Sequence, residues 1–199
     1  MPELADWLAG RRTLVLDTET TGFDPRQGHR LVEAAALAID GATIAEGWSS
    51  LIQPGRSIPA DATAIHGIDD GMVASAPDAG TIAPELRRRC ADHTLVFHNV
   101  AFDLPFLRAL FEEGSQPPIY NPVVDTLGLS RGLGGAGHSL EALAARFGLP
   151  RTAAHRALSD ATTTAHLFLV LAERWRERGV RSLAELAAVS QDALRWPRP

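Results

Sequence analysis

The stretch RTLVLDTETTG at positions 12 to 22 constrains this chain more than any other. Thr13 to Leu16 are apolar or β-branched, which suits a strand over residues 12 to 17, and Gly22 near Asp24 and Pro25 marks the turn that follows. Side chains on a strand alternate between faces, so Asp17 and Glu19 share one face and Thr18 takes the other. Like charges so placed repel. Either they stand in a solvated acidic turn, or a hard divalent cation neutralises them, in which case carboxylate oxygens suit Mg²⁺ or Mn²⁺.

Composition decides part of this. The chain has 199 residues, of which 45% are hydrophobic and 22% charged, enough for one ordinary domain with a real core. Its single cysteine, Cys90, excludes an internal disulfide framework and gives no reason to expect a zinc site. All 19 basic residues are arginines, and the formal charge of −5 argues against bulk, non-specific DNA wrapping. Two bound divalent ions would move that charge by +4, to −1, which eases the approach of a phosphodiester. No early apolar block reads as a signal peptide and no apolar run reaches the ~18 residues of a membrane span, so the expectation is a cytoplasmic protein with no membrane contact.

Further along, residues 31 to 40 alternate through Val32, Ala34, Ala36 and Ala38, with Leu37 and Ile39 on the other face. A turn at Asp40 and Gly41 joins them to a third strand over 43 to 52, giving an antiparallel meander. One helical turn fits residues 61 to 66, where His66 either caps the turn or lines a cleft. A longer helix fits 78 to 90, with Ile82, Leu86 and Cys90 on its buried stripe. Leu95 to Phe97 then make a short buried strand. His98 and Asn99 follow, with Asn99 as the natural N-cap of a helix whose apolar residues fall at 102, 106, 107 and 110. Asp103 lies near the first turn of that helix, where an acid suits the helix dipole with or without a metal, and Pro105 is compatible with a first turn only.

Another short strand ends at Asp125, a residue that serves either as a further ligand or as an ordinary acid at a strand end. Glycines at 132, 134, 135 and 137 match no phosphate-binding fingerprint and read as a flexible loop. Ser139 caps the helix that Gly148 and Pro150 terminate. In AHRALSDATTTAHLFLVLAERW, a long helix buries Ala161, Ala165, Phe168, Leu169, Ala172 and Trp175, and Asp160 opens it with Ser159 as a possible cap. On one regular helix His155 and Asp160 would stand about 140° apart around the axis, so His155 belongs in the loop before it. Residues 1 to 178 are then one domain, and 179 to 199 a short helical tail closed by Trp196, Pro197 and Pro199.

Taken together, DTETTG at 17 to 22, HNVAFDLPFL at 98 to 107 and HRALSD at 155 to 160, with Asp125 and Thr126 between the last two, resemble the three ordered motifs of the DEDD exonuclease superfamily, histidine subtype. That family includes the proofreading subunit of bacterial DNA polymerase III and ribonuclease T. The resemblance covers about residues 11 to 175. It implies an α/β, ribonuclease H-like fold: a mixed five-stranded sheet, three antiparallel strands and two parallel additions, flanked by helices. It further implies metal-binding acids at Asp17, Glu19, Asp103 and Asp160, a general base at His155, and two Mg²⁺ or Mn²⁺ ions. IHGI at 65 to 68 resembles the segment that abuts a terminal nucleotide, which makes Ile65 and His66 substrate contacts together with Thr18 and Asn99. Phe97 departs from the small residue that many members carry before the His-Asn pair. The activity so implied is release of nucleoside 5′-monophosphates from the 3′ end of single-stranded or frayed nucleic acid, DNA or RNA. A polymerase or other replication protein on the C-terminal tail is the partner it suggests. A non-catalytic nucleic-acid-binding domain would show a lost carboxylate, but all four acids and the histidine are present.

Overall fold

The computed structural model describes residues 2–150 and 155–195; Trp196, Pro197 and Pro199 lie outside them. The central strand β1 (Thr13–Thr20) runs on through the acidic motif, because β2 (Leu31–Asp40) pairs antiparallel with it up to a register shift at Glu19 and Thr20. The expected third strand is broken into β3 (Thr43–Ile44) and β4 (Trp48–Leu51), both on β2. Ile39 faces Ile44 and Ala36 faces Trp48, so three residues oppose two and the strand bulges. The bulge contains Gly47, where an added Cβ would stand 2.3 Å from Leu158 and 2.8 Å from Leu37.

The two parallel additions are β5 (Thr94–Phe97) and β6 (Val123–Asp125). The sheet is therefore mixed and, among the described residues, six-stranded, in the order β3-β2-β1-β5-β6 with β4 also on β2. Helices follow the chain as α1 (Pro2–Leu8), α2 (Ala60–His66), α3 (Asp70–Val73), α4 (Ala79–Cys90), α5 (Val100–Glu113), α6 (Thr126–Leu133), α7 (Leu140–Phe147), α8 (Ala157–Glu177) and α9 (Leu183–Arg195). Among the described residues, no helix is long and apolar enough to cross a membrane.

Strand alternation assigns the two cores. Val15, Ala35, Leu37 and Ile39 face one way and pack with Ala161, Ala165, Phe168 and Ala172 of α8. Leu14, Leu16, Ala34 and Ala36 face the other way and meet Ile82 and Leu86 of α4 and Phe106, Leu107 and Leu110 of α5. Each fully buried large side chain of this kind contributes about 1.5–3 kcal/mol relative to exposure. The sheet thus separates α8 on one face from α4 and α5 on the other.

Local caps fix the helix starts. Ser139 accepts from the Ala142 N–H at 3.2 Å, and Gly148 closes the same helix in the left-handed conformation, as the sequence predicts. Two details differ from expectation. Asn99 is the N-cap residue of α5, as predicted, but with φ +72° its side chain makes no cap bond; the Asp125 carboxylate takes that role, accepting from the N–H groups of Asn99 and Val100 at 2.9 and 3.1 Å and from Leu127 at 2.9 Å. Asp125 is a cap for two helices, its oxygens filled by backbone donors. Pro105 lies inside α5 rather than in its first turn, where the Ala101 carbonyl that loses a donor belongs to an exposed residue and is open to water.

The C-terminal segment packs back. Leu183 and Leu186 of α9 enter the core beside α8, and Ser190 Oγ accepts from the Asp125 N–H at 3.1 Å. Among the described residues of α9, Leu183, Leu186, Ala187 and Val189 are thereby packed on their own domain. At the contact, Gly128 of α6 lies so close that an added Cβ would stand 1.9 Å from the Ser190 carbonyl oxygen. Gly→Ala in a helix ordinarily stabilises by up to about 1 kcal/mol; here overpacking, about 1–3 kcal/mol, should win. Gly128→Ala is expected to lower Tm by several degrees in a thermal melt, and an unchanged or raised Tm would show that α9 yields freely.

Candidate active site

Asp17 and Glu19 project from β1 on the face that α8 covers, and Asp160 descends from the first turn of α8. One carboxylate oxygen of each lies within 4.8 Å of those of the other two. Asp103 arrives from the opposite layer on α5, 4% exposed, with its Oδ1 accepting the Thr18 hydroxyl at 2.7 Å. Thr18 is thus committed to orienting Asp103 through its side chain. The alternation that sends Thr18 to the α5 side of β1 is what lets one strand hold acids from both layers.

The electrostatics of this cluster are unfavourable when it is bare. Burial, then the charges of Asp103, Glu19, Asp160 and Glu33, push the Asp17 carboxyl well above the ordinary carboxylate range. Burial followed by Asp160, Glu33 and Asp103 pushes Glu19 up to about 8, with Arg156 opposing. Burial also raises Asp103 to about 7 against the Thr18 hydrogen bond. Carboxylates that resist ionising together are deficient in positive charge. A group of hard oxygen donors, Asp17, Glu19 and Asp160, fits a divalent cation that would supply it.

His155 stands just before α8, as its angular argument requires, with φ +58° and its N–H donating to Asp160 Oδ2 at 3.0 Å. Its ring is half exposed, with Nε2 3.9 Å from a Glu141 carboxylate oxygen. Ser159 is not the cap of α8: the helix begins at Ala157, and the carboxylate of Glu33 on β2 accepts the Ala157 N–H at 3.0 Å.

A cavity of about 230 Å³ opens beside Glu19 and His155, walled by Thr20, Phe23, Ile65 and Phe102 among others. Ile65 is 52% exposed and Phe23 79%. A wider groove of about 1030 Å³ shares Phe23 and Phe102 and carries Arg26, Arg30 and Arg108. His66 borders the cavity but is 5% exposed with both ring nitrogens engaged: Nδ1 accepts the Ile68 N–H at 3.0 Å, which leaves Nε2–H to donate to the Thr20 carbonyl at 3.3 Å. Burial pushes its pKa down. Of the two sequence readings of His66, a cap or a cleft residue, these bonds fit the cap: the ring pins α2 to the end of β1, with no nitrogen left over for the substrate contact that the resemblance implies. Asn99 and Thr18 are not among the residues walling this cavity. The other motif histidine, His98, is equally structural. Its Nδ1 meets the Thr126 hydroxyl at 2.9 Å while that hydroxyl donates to the Phe97 carbonyl, and burial pushes the ring down to about 4.

Sequence reasoning missed Phe23, the cavity role of Phe102 and, above all, Glu33 with Arg156. A lone acid inside the apolar run LVEAAALAI was the available signal for Glu33.

The RNase T exonuclease family model matches residues 14–168. The chain belongs to this exonuclease family. Among curated relatives, a DNA polymerase III subunit epsilon-like protein of Rhodobacter capsulatus is 43% identical over 84% of the chain and 24% of its own length. The DNA polymerase III subunit epsilon of Rickettsia typhi is 34% identical over 82% of the chain and 75% of its own. The 3′-5′ exonuclease DinG of Bacillus subtilis is 35% identical, over 91% of the chain and 20% of its own length. The exonuclease domain thus spans about a quarter and a fifth of the first and third of these relatives. Exonuclease X in complex with 5′ overhanging duplex DNA superposes with TM-score 0.72 at 27% identity, covering 89% of this chain and 99% of that one. E. coli exonuclease I with a dT13 oligonucleotide gives TM-score 0.76 at 20% identity, over 84% and 42%, which supports the fold. The fold is the ribonuclease H-like one that the motifs imply.

The raised carboxyls make stability depend on pH with a definite sign. An acid raised in the folded state stabilises fully below its ordinary value, 4.5 for glutamic acid, and that contribution is lost as pH rises toward the folded value, about 8 for Glu19. The Tm of the metal-stripped exonuclease domain is expected to fall between about pH 5 and 8, and added Mn²⁺ should raise it most at the upper end. A flat profile without a Mn²⁺ response would disconnect the cluster from cation binding.

Proposed function

We propose that this domain is a two-metal-ion 3′-5′ exonuclease that releases nucleoside 5′-monophosphates from single-stranded or frayed DNA ends. The observation that carries this reading is the three-acid group of Asp17, Glu19 and Asp160 opening beside a small cavity with apolar walls. When bound, two Mg²⁺ or Mn²⁺ ions supply an activated water and charge compensation for the departing 3′ oxygen. Asp17, Glu19, Asp103 and Asp160 would hold them.

The chain's own groups do the rest. The His155 imidazole, half exposed at the cavity, accepts the proton of the attacking water as the bond from phosphorus to the 3′ oxygen breaks. The exposed faces of Ile65, Phe23 and Phe102 suit any terminal base, so sequence preference should be weak. Seating one nucleotide in so small a cavity requires unpairing, which favours single strands and frayed ends. Arg108 in the adjoining groove suits the preceding phosphates, while Arg26 and Arg30 there are paired with Asp24 and Glu113. The names of the relatives, DNA polymerase III subunits and a 3′-5′ exonuclease, support DNA as substrate and a replication or repair setting. A polymerase partner would have to use a surface other than Leu183, Leu186, Ala187 and Val189 of α9, which the domain itself covers.

Asp17→Ala should reduce turnover roughly a thousandfold, about 4 kcal/mol of transition-state stabilisation, without unfolding the domain. Substantial activity in that variant, or in excess chelator, would sink the metal mechanism. His155→Ala should slow single turnover by about 10²–10⁴-fold while leaving cation binding in place. An unchanged single-turnover rate would remove His155 from the reaction. On 5′-labelled oligonucleotides, a descending ladder is expected from a free 3′ hydroxyl and a slowed one from a 3′ phosphate. Equal internal cutting of both would overturn the assigned polarity.

A further inference from the structure

Glu33 is a buried acid on β2, 3% exposed and directly across the β1–β2 pairing from Glu19. It lies beside the metal-ligand candidates but does not act as one of them. Its Oε1 accepts Arg156 Nη2 at 2.8 Å, and its Oε2 accepts Arg156 Nε at 3.1 Å and the Ala157 N–H at 3.0 Å. Both oxygens are filled by donors, and Glu33 is absent from the close group formed by Asp17, Glu19 and Asp160. The donors come from one place, the start of α8. Arg156 is the N-cap residue and offers no side-chain cap of its own, so a carboxylate 124 positions earlier in the chain supplies the cap from outside.

The consequence falls on the residues either side. His155 holds a left-handed backbone, φ +58°, which a non-glycine residue keeps only where its surroundings fix it. Its N–H is tied to Asp160, while Arg156 and Ala157 are tied to Glu33. A two-point guanidinium–carboxylate contact fixes distance and plane together. We propose that the Glu33–Arg156 pair is the positioning device of this active site: it registers His155 and Asp160 against the strand that carries Asp17 and Glu19. Glu33 and Arg156 are positioning residues, acting through the backbone of α8 rather than on the reacting atoms. The pair also offsets a fifth carboxylate that would otherwise stand uncompensated beside the cluster.

This inference rests on the nuclease reading for its kinetic arm only. In metal-free protein, Arg156→Ala should raise amide hydrogen exchange over residues 155 to 160 about tenfold while leaving β1, β2 and the rest of α8 unchanged. In Mn²⁺-loaded protein the same substitution should lower kcat on a single-stranded oligonucleotide at least tenfold, with KM within about twofold. Arg156→Lys, which keeps the charge but not the two-point contact, should recover only part of kcat. Glu33→Gln combined with Arg156→Ala should cost little more than either alone, the mark of two residues working as one unit. Unchanged exchange in Arg156→Ala overturns the proposal whatever the activity, and so does a KM that rises in a salt-dependent way at constant kcat, which would make Arg156 a phosphate contact. An inactive wild-type protein would refute the nuclease reading instead, leaving the exchange arm to decide the pair. Should Arg156→Ala unfold, Arg156→Lys carries both measurements.

Discussion

Carboxylates gathered at the end of one strand repel one another, and the scaffold around them exists to hold that arrangement against its own charge. Each acid of the cluster is fixed from a different direction. Asp17 and Glu19 ride on β1, whose pairing with β2 continues past the apolar segment to their very position. Asp103 is held from the far layer by the Thr18 hydroxyl, and Asp160 by a helix whose start is tied to β2. If these acids sat on loops, the cheapest response to repulsion would be to spread apart. Anchored to two packed layers, they instead shift their protonation upward, which leaves the assembly ready for a cation.

Composition alone does not separate the acids that meet this cluster from those that stabilise the fold. Asp103, Asp125 and Glu33 are all buried carboxylates next to strand or helix ends. What divides them is what lies next to their oxygens. Asp125 accepts from Asn99, Val100 and Leu127, and Glu33 from Arg156 and Ala157, so their lone pairs are consumed by the protein. Asp103 also has several donors, the Thr18 hydroxyl and the backbone N–H groups of Thr18 and of Asp103 itself, but of the neighbouring carboxylates its charge does most to raise Asp17, which sets it against the cluster.

That distinction also explains what the sequence could and could not disclose. Strand alternation correctly separated Asp17 and Glu19 from Thr18, and the two faces of β2, because a period of two survives any tertiary context. Angular spacing correctly placed His155 ahead of α8. The failures have a common cause. A side-chain cap from Asn99 and Ser159 as N-cap were assigned by local rules, and each was overridden by a partner distant in the chain, Asp125 and Glu33; His66, a substrate contact by the resemblance, is likewise engaged by the Thr20 carbonyl. Local propensity predicts which residue types can close a helix, not whether a better acceptor arrives from another strand. Gly47, in the strand break, likewise meets a distant residue, Leu158, which leaves no room for a side chain there.

His66 illustrates how such a long-range partner bears on function even without touching substrate. Its ring joins the C-terminal turn of α2 to the Thr20 carbonyl, one residue beyond Glu19. The small cluster of Val32, Ile58, Ala62, Ile68 and Val73 seats the same helix from below. The wall that Ile65 presents to the cavity is therefore indexed to the strand carrying two of the acids, so the distance from wall to carboxylates is set by backbone rather than by a mobile side chain. On the proposed reading, a strand running through the site would have to displace α2, breaking that hydrogen bond and opening a packed cluster, whereas a chain end needs only the space already present. On that reading, preference for termini follows from the stiffness of one hydrogen-bonded corner.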